Sequence, residues 1–181
     1  LEMEFGPGPH STPLVVGDRI IAIGVTAKMH CLDKRTGSVL WSHDLLKEYN
    51  AELGGRGFAP SPLEHQGKII IPVGGKKATP PDAEKDKAGK NTESRPAEAD
   101  PDPDPDPDRS IIAFNLKDGS VAWKRQAFDV APASPVVMKV TDDQKQTEDQ
   151  LIAFMGKEVV GLNPTNGELL WRHPHETMYG A

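Results

Sequence analysis

The chain has 181 residues, enough for one ordinary domain. Its apolar share is 36 %, its aromatic share 6 % and its net charge −6, so it lacks the basic surface that nucleic-acid backbones require. No apolar run approaches the roughly 18–20 residues that cross a bilayer as a helix, so no transmembrane segment is expected.

The first ten residues, "LEMEFGPGPH", lack the basic stretch followed by an apolar one that marks a signal peptide. Short β-branched runs then alternate with turn signals such as Gly17-Asp18 and Thr36-Gly37. Four strands are predicted, near residues 12–16, 19–24, 27–32 and 38–43. Cys31, the single cysteine, cannot form an intrachain disulfide and reads as a small strand residue on a buried face. Next comes "DLLKEYNAEL" (44–53), where Leu45, Leu46, Tyr49 and Leu53 recur at helical spacing and predict a short amphipathic turn or helix. In "GGRGF" (54–58), Arg56 among three glycines could present a guanidinium to an anion or carboxylate. The ordinary reading is a crossing loop closed by Phe58.

A second unit opens at "PSPLEHQGKIIIPVGG" (60–75) and is interrupted by residues 76–108. Those 33 residues contain no Val, Ile, Leu, Met, Phe, Trp or Tyr, and they carry 6 Lys or Arg against 10 Asp or Glu. They end in "DPDPDPDPD" (100–108), in which proline stiffness and like-charge repulsion both favour an extended chain. Such a spacer holds carboxylates apart rather than converging them on calcium. The segment reads as a disordered insertion whose deletion leaves stability nearly unchanged, since loop-closure entropy grows slowly with length.

The unit resumes with "FNLKDGSVAW" (114–123), which repeats "LDKRTGSVLW" (32–41). A third unit runs from "ASPVVMKV" (133–140) through "QLIAFMG" (150–156) to "LNPTNGELLW" (162–171). Each decapeptide ends in one of the chain's three Trp: Trp41, Trp123 and Trp171. Gly37, Gly119 and Gly167 stand four places earlier, and Asp33, Asn115 and Asn163 eight places earlier. The side-chain oxygen of the Asx residue can accept from a backbone N–H two residues on. The glycine supplies a positive φ, and the indole can cover the gap to a neighbouring sheet. These nine residues are expected to dock one unit on the next. Upstream, Thr12-Pro13, Ser61-Pro62 and Ser134-Pro135 recur at the head of each unit.

Units near 11–43, 59–125 and 131–172, each of four strands, are the pattern of β-propeller blades. The fold class expected is all-β, a partial propeller of about three four-stranded antiparallel blades, with residues 1–181 as a single unit. The motif resembles the PQQ-like β-propeller repeat, A-x-D-x-x-T-G-x-x-x-W. The first copy matches at Asp33, Thr36, Gly37 and Trp41, the second at Ala113, Gly119 and Trp123, the third at Gly167 and Trp171. That family includes quinoprotein alcohol and sugar dehydrogenases, which hold PQQ and calcium. It also includes BamB-like outer-membrane assembly proteins, which bind protein partners through loops.

The resemblance implies a non-catalytic binding or scaffold module for protein or ligand partners, in the bacterial cell envelope or periplasm. It also implies further blades to complete the ring. The alternative it implies is part of a PQQ- and calcium-dependent dehydrogenase, but no residue here falls on a dehydrogenase site position. No catalytic, cofactor or metal residue is therefore assigned. A weak binding candidate remains in "HPHE" (173–176), where His173 and His175 face the same side of an extended segment.

Overall fold

The computed structural model describes residues 8–54, 57–74, 108–129, 131–141 and 143–175. The first sheet consists of β1 (Leu14–Val16), β2 (Arg19–Ile23), β3 (Lys28–Asp33) and β4 (Val39–Asp44). A one-turn helix, α1 (Leu45–Tyr49), follows, capped by Asp44, whose side chain accepts from the Lys47 N–H. The second sheet holds β5 (Leu63–His65), β6 (Lys68–Pro72), β7 (Ile111–Asn115) and β8 (Val121–Arg125). The third holds β9 (Val136–Thr141), β10 (Thr147–Met155), β11 (Glu158–Leu162) and β12 (Leu169–Pro174). Each sheet is an antiparallel meander in chain order. The molecule is a partial β-propeller.

Alternation along the strands divides each sheet into two faces. Ile21, Ile23, Met29 and Cys31 face the second sheet and meet Ile69, Ile71, Ile112 and Phe114 on its near side. From the far side of the second sheet, Ile70, Ile111 and Ala113 meet Leu151, Ala153, Val160 and Leu162. The core is thus two apolar layers, one in each gap between sheets. The middle sheet is buried on both faces, which is why "KIIIP" and "IIAFN" read as continuous apolar runs.

The third and fourth strands carry a register shift at the same place in every sheet. Cys31 pairs with Trp41 but Leu32 with Val39; Ala113 pairs with Trp123 but Phe114 with Val121; Gly161 pairs with Trp171 but Leu162 with Leu169. One extra residue (Leu40, Ala122 or Leu170) therefore bulges from the fourth strand. Without it, Val39 and Trp41 would share a face. The bulge turns the Trp toward the following sheet.

The long segment leaves β6 and returns to β7 at adjacent points. Pro72 pairs with Ile111, and the Val73 and Gly74 N–H groups both donate to the Ser110 carbonyl, at 2.8 and 3.2 Å. Residues 75–107 lie outside the described residues, and with them all but Asp108 of the disordered insertion expected over 76–108.

Candidate functional site

The repeated decapeptide builds one turn three times. Gly37, Gly119 and Gly167 have φ of 71°, 77° and 73°, a region that a Cβ penalises. Each gives its N–H to the carbonyl of Asp33, Asn115 or Asn163 at 2.8 Å. Asp33 Oδ1 accepts from the Arg35 N–H, the Thr36 N–H and the Thr36 hydroxyl, and Asn163 Oδ1 accepts from the Thr165 N–H. Asn115 uses its side chain differently, donating its amide to Ser120 Oγ. The residue before each glycine closes a further small turn. Thr36, Asp118 and Asn166 accept from the N–H of Ser38, Ser120 and Glu168. The Thr36 N–H, then its hydroxyl, hold the Asp33 carboxyl below its ordinary pKa, and the Ser120 hydroxyl and N–H do the same for Asp118.

The first two Trp rings lie against the turn of the following sheet. A Cβ on Gly119 would stand 2.8 Å from Trp41 Cδ2, and one on Gly167 would stand 2.6 Å from Trp123 Cε3. Trp41 Nε1 donates to the Leu116 carbonyl at 3.0 Å, and Trp123 Nε1 to the Pro164 carbonyl at 3.3 Å. Both acceptors belong to the residue after the turn's Asn. Trp41 and Trp123 are each 9 % exposed. Trp171 is 39 % exposed; its ring covers Gly161 of its own sheet, and its Nε1 donates to Gln150 Oε1.

Cys31, Ala113 and Gly161 are the register partners of the three Trp, so a small residue lies beside each indole. Cys31 is fully buried, and that burial pushes its thiol pKa up. Such a thiol is a packing residue rather than a nucleophile.

Three further contacts cross the gaps and had no clear signal in the sequence. Arg19 donates through one guanidinium nitrogen to the carbonyls of Leu116 and Lys117. His43 stacks on Phe114 with centroids 4.5 Å apart, donates Nε2–H to the Gly119 carbonyl and turns Nδ1 to Glu48 at 2.7 Å. Gln126 reaches the Gly167 carbonyl at 2.9 Å, the matching acceptor one sheet on. The Ser/Thr-Pro heads form a chain of their own. The Thr12 N–H donates to Ser61 Oγ and the Ser61 N–H to Ser134 Oγ, both at 2.9 Å.

Arg56 lies outside the described residues. His173 pairs across from Val159 on β12, while His175 packs edge-on against Phe154 with centroids 5.6 Å apart and donates its N–H to the Lys157 carbonyl. Glu176 lies outside the described residues. Among the described residues, no three His, Cys, Asp or Glu side chains are grouped to hold a metal ion. A recess lined by Phe128, Asp129, Lys157, Glu158 and Arg172 contains a guanidinium already held in a fork by Glu158, at 2.6 and 2.7 Å.

One end of the sheets gathers the connecting segments. The Phe58 N–H donates to the Val25 carbonyl and the Glu52 N–H to the Val73 carbonyl, both at 2.9 Å. Arg109 Nε donates to the Tyr49 carbonyl. These bonds bring α1, residues 51–54 and 57–58, and both ends of the long segment to the same side. The repeat turns lie at the opposite end, where the Lys34 N–H meets the Asp18 carbonyl and the Leu116 N–H the Gly67 carbonyl.

The model of the family described as outer membrane protein assembly factor BamB matches residues 1–179. The chain belongs to the BamB family. BamB from Moraxella catarrhalis has a similar structure, with a TM-score of 0.51 and 14 % identity over 94 % of this chain and 39 % of that one. This BamB-family chain therefore spans well under half the length of that relative. A quinohemoprotein alcohol dehydrogenase from Pseudomonas putida HK5 is more distant, with a TM-score of 0.37 and 14 % identity over 90 % of this chain and 34 % of that one. A likeness at that level carries no site residue across. No curated protein matches the chain. Among the described residues, no helix is long and apolar enough to cross a membrane.

Proposed function

We propose that this chain is a non-catalytic binding or scaffold portion of a cell-envelope propeller, meeting protein or ligand partners through loops at one face. Asp33, Gly37 and Trp41, with their counterparts Asn115, Gly119, Trp123, Asn163, Gly167 and Trp171, dock blade on blade and leave recognition to the connecting segments. The observation that carries this reading is the occupation of Trp41, Trp123 and His43 between sheets. Side chains spent on packing and carbonyl contacts are withheld from a substrate. The BamB family match supports a partner-binding role. The partner face is the one that gathers α1 and both ends of the long segment, because inserted chain there adds recognition surface without disturbing the core.

The dehydrogenase alternative needs calcium ligands and a Trp free to lie beneath a quinone. Against that alternative, Asp33 accepts three bonds within its own turn, Trp41 and Trp123 are covered by the next sheet, and Trp171, though 39 % exposed, lies over Gly161 and gives its N–H to Gln150 Oε1.

Photo-crosslinking residues at Leu46 and Lys47, on the gathered face, test the proposal against the same probes at Lys34 and Thr165 on the repeat-turn face. Crosslinks in intact envelope from the first pair alone are expected; equal or absent yields would overturn the partner face. Incubation with PQQ and Ca²⁺ followed by desalting is expected to leave no bound quinone. Stoichiometric, calcium-dependent retention would favour the dehydrogenase.

A further inference from the structure

His43 has an acceptor in front of each ring nitrogen. Nε2 lies 2.8 Å from the Gly119 carbonyl of the second sheet, and Nδ1 lies 2.7 Å from Glu48 Oε2 on α1. A carbonyl and an ionised carboxylate only accept hydrogen bonds, whereas a neutral imidazole has one N–H to give. Both contacts are complete only when the ring carries two protons. The other Glu48 oxygen accepts from the Asp44 N–H at 2.7 Å, and Asp44 Oδ1 accepts from the Lys47 N–H at 3.2 Å. The ring therefore ties the joint between the first two sheets to the capped start of α1.

The second joint meets the same need without a titrating group. There the Gly167 carbonyl accepts from the Gln126 side-chain amide at 2.9 Å, a donor with no proton to lose near neutrality. The other charged groups around His43 have their own partners. Asp118, next to Gly119, turns its carboxyl to Ser120. Lys47 Nζ lies 3.8 Å from Asp44 Oδ2, Lys28 is the strand partner of Asp44, and Arg109 donates to the Tyr49 carbonyl. The Tyr49 ring lies 6.0 Å from the imidazole, and burial, then the Glu48 charge, push its hydroxyl pKa up, so it stays neutral.

We infer that His43 is a proton-dependent clasp, which fastens α1 to the first joint as an imidazolium and releases it on losing one proton. A neutral ring leaves a lone pair facing either the Glu48 carboxylate or the Gly119 carbonyl, and that contact opens. The fastening is thus present on the acid side of the imidazole range and lost as pH rises through it. The clasp concerns how α1 is held, and it stands whether or not α1 meets a partner.

NMR of the ring nitrogens and amide exchange, followed from about pH 5 to about pH 8, read the clasp in the wild-type chain. Two protonated ring nitrogens on His43 are expected at the acid end. Protection of the Asp44 amide, corrected for intrinsic exchange, is expected to fall about tenfold across the range, as for one hydrogen bond to a charged group. The Gly167 amide, in the second joint, is expected to hold steady. Glu48→Gln separates the clasp from mere packing, because a carboxamide offers both an acceptor and a donor. Its oxygen keeps the Asp44 N–H while its nitrogen gives to a neutral Nδ1, so Asp44 protection is expected to lose its pH dependence. Near-ultraviolet circular dichroism establishes that the variant is folded. A His43 ring with a single N–H throughout, or a flat Asp44 response in the wild type, would overturn the inference. So would an Asp44 response in Glu48→Gln equal to that of the wild type.

Discussion

Trp41 lies so close over Gly119 that a Cβ there would stand 2.8 Å from its ring, while the equivalent Gly37 has open space. Both glycines hold a positive φ, so alanine at either meets the same backbone penalty, about 1–2 kcal/mol. Only Gly119→Ala adds a collision with a buried indole. Urea unfolding of the two variants isolates the joint: Gly119→Ala is expected to lose about 1–3 kcal/mol more than Gly37→Ala, the usual range for overpacking. Equal losses would mean that the ring moves aside freely and that the contact contributes little.

The second prediction compares two indoles. Trp123 is 9 % exposed between sheets, whereas Trp171 is 39 % exposed on the outer face. Trp123→Ala removes a buried ring and is expected to cost about 3–5 kcal/mol. Trp171→Ala is expected to cost about 1 kcal/mol, in the range of ordinary point substitutions. Similar losses at both positions would count against the joint as the source of stability.

The strand plan and the glycine turn were legible because the decapeptide occurs three times. Local chemistry repeated at fixed spacing carries the turn, and α1 appears where Leu45 and Tyr49 set helical spacing. The bulge at Leu40, Ala122 and Leu170 was not legible: a one-residue register shift depends on two strands, and neither announces it alone. Arg19 and His43 were missed for a similar reason. Their acceptors, the carbonyls of Leu116, Lys117 and Gly119, lie in another unit and leave no side-chain pattern to match. Asn115 follows its neighbours in sequence but not in bonding, because Asp118 takes the Ser120 N–H and hydroxyl while Asn115 donates to that same hydroxyl.

The Ser/Thr-Pro heads were visible as a repeat without a function. Ser61 now has one, since its hydroxyl accepts from Thr12 while its N–H donates to Ser134. Proline at the next position supplies no N–H, which leaves the Ser or Thr N–H as the donor that joins neighbouring heads. Ser61→Ala is expected to destabilise by about 1 kcal/mol, the net value of one hydrogen bond, and to speed exchange of the Thr12 amide. Ser61→Thr, which keeps the hydroxyl, is expected to restore that protection. Unchanged Thr12 exchange in Ser61→Ala would exclude the bond.

Asp33 and Asp118 give the fold a dependence on acid. Each carboxyl is held below its ordinary pKa by hydrogen bonds that need the ionised form, mainly from Thr36 and Ser120. A carboxyl lowered on folding contributes stability that is present above its unfolded pKa, about 3.9, and is lost as pH falls through the folded value. The thermal midpoint is therefore expected to hold near neutrality and to fall below about pH 4. Asp33→Asn retains an acceptor oxygen, as Asn163 does in the third turn, but has no proton to gain. Its midpoint is expected to fall less steeply in acid than that of the wild type, whereas Asp33→Ala is expected to be less stable at neutral pH as well. Parallel acid limbs for wild type and Asp33→Asn would show that the turn carboxylate does not govern the response.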